Sequence, residues 1–169
     1  MASTSKEQAI IDYLITCDSI RNNPLFFNFI NAKDKNKQLM TFANEKSTNQ
    51  SFVDGSIRKR YTFTIIDFRS VSYNALVTAL GTTTSSQPIP DENVDEFLDV
   101  QAIIDWITEQ NRARNFPDFG DKCLIEEIRA LTDNPNLNGV DTKVKPSLAK
   151  YSVSIQIDYI DKTDAIWNN

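Results

Sequence analysis

The chain has 169 residues, a formal net charge of −5, two cysteines and no histidine. This length suits one domain with its own core and is short for two. The acidic balance argues against a nucleic-acid-binding domain held by counterion release. The lack of histidine removes Ser-His-Asp and Cys-His catalytic sets and histidine-based zinc sites. Two distant cysteines without metal-ligand spacing indicate a reduced protein rather than a disulfide framework.

The N-terminal segment predicts a helix. It begins at Thr4, which has capping-box spacing to Glu7. Its apolar stripe consists of Ile10, Ile11, Leu14, Ile15 and Cys17. We expect it to end near residues 18–24, "DSIRNNP", because asparagine and proline favour a turn. No signal peptide is predicted, since no basic region is followed by an apolar run, and no apolar stretch reaches the ~20 residues of a membrane span.

Two strands are predicted next. The first covers residues 38–42 and is followed by a polar loop over 44–54. The second, "RKRYTFTIIDFRSVS" at 58–72, alternates apolar and polar residues, as a half-buried strand does. Ile66 and Phe68 fall on its second face, so we expect this strand to be covered on both sides at its far end.

The middle of the chain predicts an exposed loop and a second helix. The loop, residues 81–96, is rich in threonine, serine and proline. The helix runs from Val94 to Arg114 with apolar residues at i, i+3, i+4 and i+7. Acidic residues crowd its start, and we interpret them as favourable partners of the helix dipole rather than as a cation site.

The last third predicts two strands and a tail. "CLIEEIRALT", residues 123–132, fits a helix or a strand, and its position before another strand favours the strand. A long hairpin loop then leads to "YSVSIQIDYID", which begins at Tyr151 and has one dry face and one wet face. Residues 162–169 are predicted to be a flexible tail. The order of elements predicts a single α+β domain over 1–169, with a mostly antiparallel sheet packed against two main helices.

No chemical motif stands out. The four glycines form no phosphate-cradling loop. A carboxylate pair could in principle serve acid-base catalysis or hold magnesium, and the candidates are Asp67, Asp105, Glu126, Glu127 and Asp158. Solvated faces of strands and helices explain all of them. We therefore predict no catalytic residue, no cofactor and no metal, and a protein that works through contacts with other proteins.

Four stretches together resemble a known family. They are "RYTFTIIDFRS", "EFLDVQAIIDWITEQNRARNFPDFGDKC", "LIEEIRALTDNPNLNGVDTKVKPSLAKYSVSIQIDYID" and the N-terminal helix before them. The matching positions are Trp106, Phe116 and Pro117, then Asn134, Pro135, Leu137, Gly139 and Asp141, then Ala149 and Tyr151. This pattern resembles the tail terminator family of tailed bacteriophages, also called minor capsid or tail completion proteins. Trp106, Phe116 and Tyr151 are expected in the core, and Pro117, Pro135 and Gly139 in turns.

The resemblance implies a structural role without enzymatic activity. Such a subunit forms a six-membered ring on the last layer of the tail tube, stops tube polymerisation and offers a surface to the head connector. The implied partners are further copies of the chain, the tail tube protein, the connector or neck proteins, and the sheath if the tail is contractile. Genomic DNA passes through the centre without specific binding, and no membrane is involved. The implied location is the virion neck, after assembly in the host cytoplasm.

Ring closure requires head-to-tail contacts between neighbours. We predict these contacts at strand edges near residues 58–60 and in the hairpin loop 133–145, whereas the loop 81–96 would reach the tube, a neighbour or a sheath. The candidate interface residues are Arg58, Lys59, Arg60, Asn134, Asn136, Asn138, Asp141, Lys143 and Lys145. Two alternatives remain: another neck or tail protein, such as a head-tail connector or tube subunit, and a carboxylate-based enzyme or small ligand-binding domain.

Overall fold

The computed structural model describes residues 5–27, 37–42, 46–71 and 94–166. Three helices lie in these ranges: α1 (Lys6–Leu14), α2 (Asp18–Arg21) and α3 (Val94–Ala113). The seven strands are β1 (Leu25–Phe27), β2 (Lys37–Phe42), β3 (Lys46–Ser51), β4 (Ile57–Val71), β5 (Cys123–Ala130), β6 (Asn136–Asp141) and β7 (Ser147–Asp161).

Two long strands form the centre of one sheet. β4 and β7 each have 15 residues and pair antiparallel along their whole length, from Ile57 opposite Asp161 to Val71 opposite Ser147. The other edge of β4 pairs antiparallel with β3 at one end and β2 at the other, and β1 lies parallel to β2. The other edge of β7 pairs with β5 at one end and β6 at the other. The predicted α+β class with a largely antiparallel sheet is confirmed.

The core lies between one face of this sheet and the helices. Strand alternation places Tyr61, Phe63 and Ile65 on that face, opposite buried apolar residues of β7. The buried stripes of α1 and α3 complete the core, and the Tyr13 and Trp106 rings lie 5.0 Å apart between centroids. Each fully buried aliphatic or aromatic side chain contributes roughly 1.5–3 kcal/mol, so this layer supplies most of the stability.

The N-terminal helix differs from its prediction at both ends. Its cap is Ser5, whose Oγ accepts a hydrogen bond from the Gln8 backbone N–H at 3.2 Å, whereas Thr4 lies outside the described residues. The helix stops at Leu14 because the Thr16 hydroxyl donates to the Tyr13 carbonyl and Cys17 is extended. Residues 18–21, predicted as the helix end, form the separate single turn α2.

Two segments predicted as loops contain strands. The polar loop 44–54 holds β3, and the hairpin loop 133–145 holds β6. Neither has a strong apolar alternation, but the edges of β4 and β7 supply main-chain partners, which override weak local preference. A register shift between Leu137 and Gly139, with Gly139 at φ 143°, accommodates a turn-like sequence in β6. The ambiguous segment 123–132 is strand β5, as predicted.

The remaining predictions concern surface segments. Residues 162–166 belong to the segment predicted to be a flexible tail, and two of them form hydrogen bonds with the body: the Lys162 N–H donates to the Lys122 carbonyl and the Ile166 N–H to the Asp54 carbonyl. Residues 167–169 lie outside the described residues, so the flexibility of the tail stays a prediction. The predicted loop 81–96 lies outside the described residues up to 93, and its last three residues begin α3. Within the described ranges, no helix combines the length and apolar character needed to cross a bilayer.

Candidate interaction surface

The basic run at 58–60 was predicted to lie at a strand edge. In the structure it does not lie on a free edge. All three residues belong to β4, which pairs with β3 on one side and β7 on the other, so that Lys59 lies between Ser47 and Tyr159. The prediction of an edge is wrong because the polar segment that forms β3 was taken for a loop. Whether the three side chains contact a neighbouring subunit stays a prediction.

Each cation of this run forms an ion pair within the chain. Arg58 Nε lies 2.7 Å from Glu126 Oε2, and Lys59 Nζ lies 2.9 Å from Asp161 Oδ2. Arg60 binds Asp158 through two nitrogens, at 2.8 and 3.2 Å. Burial would raise the pKa of Asp158, but the Arg60 guanidinium outweighs it and holds that pKa below its usual range. The run therefore neutralises acids of β5 and β7.

Asp161 belongs to the same network. Burial opposes ionisation there, but hydrogen bonds from Thr163 and the Lys59 ammonium lower the pKa of Asp161 to about 2. Its Oδ1 accepts from both the backbone N–H and the hydroxyl of Thr163, at 2.9 and 2.6 Å. This carboxylate fixes the turn that follows β7.

The other six predicted interface residues share one exposed strip, which we call the β6 surface. It consists of β6 together with Asn134, Lys143 and Lys145, all exposed. All six residues of β6 are exposed, and within the described ranges the strand pairs only with β7. It includes two apolar side chains, Leu137 (55% exposed) and Val140 (37%). An edge strand with this exposure offers main-chain donors and acceptors to a partner.

The start of α3 lies at the same end of the molecule. The Phe97 ring packs edge-on against Tyr151 with centroids 6.2 Å apart, and Tyr151 lies directly opposite Leu137 of β6. Val94 and Leu98 of α3 are 46% and 54% exposed. Their positions outside the buried stripe were the only sign in the sequence that these two apolar residues face outward.

A buried arginine ties this end of α3 to the sheet. Arg69 of β4 is 2% exposed and binds both carboxylate oxygens of Asp67, at 3.0 and 2.8 Å. Its remaining nitrogen lies 2.8 Å from Asp99 and 3.5 Å from Glu96, both in the first turns of α3. Burial raises the pKa of Asp67. Burial also opposes the charge of Arg69, but the surrounding carboxylates outweigh it and raise the arginine pKa.

The sequence did not reveal this cluster. The one available signal was the alternation of β4, which places Asp67 and Arg69 on the same face as Tyr61, Phe63 and Ile65. A buried charged pair survives there because each charge has a bidentate or charge-assisted hydrogen bond. Its role is to position the start of α3.

The five carboxylates considered for catalysis are not gathered into one site. Asp67 and Asp158 lie on opposite faces of the sheet, each bound by an arginine. Asp105 is exposed on α3, where it accepts a hydrogen bond from Gln101. Only Glu126 and Glu127 lie beside Asp158, and arginines pair with all three. Among the residues with described side chains, no group of three or more His, Cys, Asp or Glu residues is arranged so that it could hold a metal ion.

A polar depression lies at the opposite end of α3. Its volume is about 460 Å³, and it is lined by Arg58, Asn111, Arg112, Arg114, Glu126 and Glu127. Arg114, at φ 56°, ends the helix and donates to the Glu126 carbonyl at 3.2 Å. The Asn111 side-chain oxygen accepts from the Ile128 N–H at 3.1 Å and so joins helix to strand. The sequence prediction missed Arg112 and Arg114, which look like ordinary basic residues in a last helical turn.

Comparisons with known proteins do not assign the chain to a family. No protein-family model matches the sequence, and no curated protein matches it. Of the three motif residues expected in the core, Tyr151 is buried, whereas Trp106 and Phe116 are half-buried and pack against the core. Gly139 lies in the bulge of β6 rather than in a turn. The burial of these residues reflects how the core packs and does not test membership of the family. The resemblance therefore depends on the sequence pattern alone.

Proposed function

We propose that this chain is a tail terminator of a tailed bacteriophage. Six copies form a ring on the last layer of the tail tube, the ring prevents further tube growth, and its outer side receives the head connector. The chain then acts in the virion neck as a structural subunit and not as an enzyme.

The β6 surface carries the proposal. Its strand has one edge paired with β7, and within the described residues nothing pairs with the other. Such an edge accepts an added strand through main-chain hydrogen bonds, while the exposed Leu137 and Val140 supply apolar contact. The 15-residue strand β7 holds this edge in a fixed position. A sheet that presents such an edge suits a subunit that must stack on or beside other subunits.

The charge of the chain agrees with a DNA passage. The formal net charge is −5, so a ring of these subunits does not attract phosphates over its whole surface. DNA would slide through such a ring without specific binding. A closed ring also needs two different complementary surfaces on each subunit, because head-to-tail contacts are heterologous.

Tube assembly tests the proposal. Tail tube subunits of the same virion are allowed to polymerise with and without this protein, and tube lengths are measured by negative-stain electron microscopy. We expect shorter tubes, each ending in one additional ring, with the tubes growing again when the protein is omitted. Incorporation of this chain along the tubes would instead identify a tube subunit, and unchanged lengths with bare ends would refute the terminator function.

A further inference from the structure

The depression at the end of α3 carries unbalanced positive charge. Of its three arginines, Arg58 pairs with Glu126, and the other lining acid, Glu127, lies 3.8 Å from Arg129 outside the depression. Arg112 and Arg114 have no carboxylate partner among the described residues, and both are exposed. Three arginines and two glutamates thus line a concave surface of about 460 Å³, which leaves one net positive charge, and the guanidiniums of Arg112 and Arg114 are the ones without an ion pair in the described residues. Guanidinium groups in this arrangement favour a carboxylate or phosphate.

The acidic residues that line the same depression favour a carboxylate ligand over a phosphate. Glu126 Oε2 is buried and, within the described part of the chain, receives no well-aligned hydrogen bond, although Arg58 Nε lies 2.7 Å away. A fully ionised phosphate ester has no hydrogen-bond donor for this oxygen and adds only further negative charge beside it. A protein segment offers carboxylates to the two arginines and an N–H or ammonium donor to Glu126. The depression therefore fits an ionic protein surface better than a free anion.

The opposite end of α3 carries the complementary charge. Three carboxylates, those of Asp67, Glu96 and Asp99, contact a single guanidinium, that of Arg69, and Asp95 adds a fourth acidic residue in the first turn of the helix. Asp95 is exposed and Asp99 has a 60% exposed side chain. The helix has 20 residues and is therefore ~30 Å long. Its acidic end cannot reach the depression at its own other end, so the two surfaces can meet only between copies.

We infer that the arginine depression of one copy binds the acidic first turns of α3 of a second copy. This inference rests on the self-association that the proposed function requires. The contact joins two different surfaces, so it repeats from copy to copy and closes into a ring if the rotation allows. Arg112 and Arg114 on one side and Asp95 on the other are the residues that supply its charge complementarity.

Charge reversal with rescue tests the inference. The variants are Arg112→Glu, Asp95→Arg and the double variant Asp95→Arg/Arg112→Glu, and the dissociation constant for self-association is measured by sedimentation velocity on the full chain. We expect each single reversal to weaken self-association at least about tenfold, because close charge pairs across interfaces couple strongly. The double variant restores the opposite charges in exchanged positions, and we expect it to regain most of the affinity.

The controls carry the same charge changes elsewhere. Arg21→Glu on α2 and Asp12→Arg on α1 alter exposed residues that belong neither to α3 nor to the lining of the depression, and thermal unfolding confirms that every variant is folded. If the single reversals associate like these controls, or the double variant is no better than the singles, the inference is wrong while the terminator function stands. If the wild-type chain associates neither with itself nor on tube ends, the proposed function and the inference fail together.

Discussion

At the scale of single residues, charged side chains form two networks of ion pairs within the chain. One is the run of cations on β4, each paired with an acid of β5 or β7. The other is Arg69, which is almost fully buried and shared by three carboxylates. The sequence shows these residues only as ordinary charged positions. Their partners lie far along the chain, so only the pairing of the strands and the docking of α3 reveal them.

Arg69 gives the first prediction. Arg69→Met leaves the buried Asp67 carboxylate without its cation, and we expect the free energy of unfolding to fall by about 3–5 kcal/mol. Urea unfolding of the variant and the wild type measures this loss. The double variant Asp67→Leu/Arg69→Met removes both charges, and we expect it to recover most of the stability.

A surface arginine is the matched control for this experiment. Arg129 is 47% exposed and lies 3.8 Å from Glu127, so Arg129→Met should cost less than about 1 kcal/mol. Equal losses for the Arg69 and Arg129 variants would contradict the structural role that we assign to the buried pair.

Asp161 gives a prediction about pH. Its pKa falls from 3.8 to about 2 on folding. The ionised Asp161 therefore adds to the free energy of unfolding above pH ~4, and this contribution disappears as the pH falls towards ~2. We expect Asp161→Asn to lose about 2 kcal/mol of unfolding free energy at neutral pH. The difference from the wild type should shrink to nothing near pH 2.

The measurement is urea unfolding at several pH values, with Asp164→Asn as control. Asp164 is an exposed carboxylate in the same turn, and we expect its variant to follow the wild type throughout. A deficit of the Asp161 variant that stayed constant down to pH 2 would show that the carboxylate acts through turn geometry and not through its charge.

At the scale of elements, periodicity decided which predictions succeeded. Helix α3 and strands β4 and β7 have long, regular apolar patterns. Both ends of α3 and β4 were predicted to within one residue, and β7 starts four residues before its predicted start. β3 and β6 were missed because "KSTNQS" and "NLNGVD" are polar or turn-like. Both strands exist because β4 and β7 are long enough to pair with two strands along one edge. Such tertiary pairing is invisible to local patterns.

The β6 surface gives a prediction at this scale. Leu137 and Val140 are exposed, so replacing both with serine should change the free energy of unfolding by less than about 1 kcal/mol. We expect the same variant to lose most of its ability to cap tail tubes, because the apolar contact of the edge strand is removed. Tube length in the polymerisation assay measures the loss.

Leu124→Ser is the control for the β6 variant. Leu124 is a 50% exposed leucine of β5, the strand that pairs with the other end of β7. If both variants cap tubes fully, the apolar side chains of β6 do not form the contact with the tube. A large loss of stability in the β6 variant would show instead that these side chains stabilise the fold.

At the scale of the whole molecule, the two ends of the sheet have different surfaces. One end has the β6 surface and the acidic start of α3, and the other has the arginine depression. An object with two unlike, complementary ends associates head to tail. A contact made by charged side chains also weakens with ionic strength, so salt should dissociate the assembly.

Native mass spectrometry of the purified chain, over a range of protein concentration and salt, tests the proposed ring most directly. We predict a closed species of six subunits that dominates at low salt and high concentration and gives way to monomers as salt rises. A monomer under every condition, or an open series of ever longer oligomers without a preferred size, would contradict the ring.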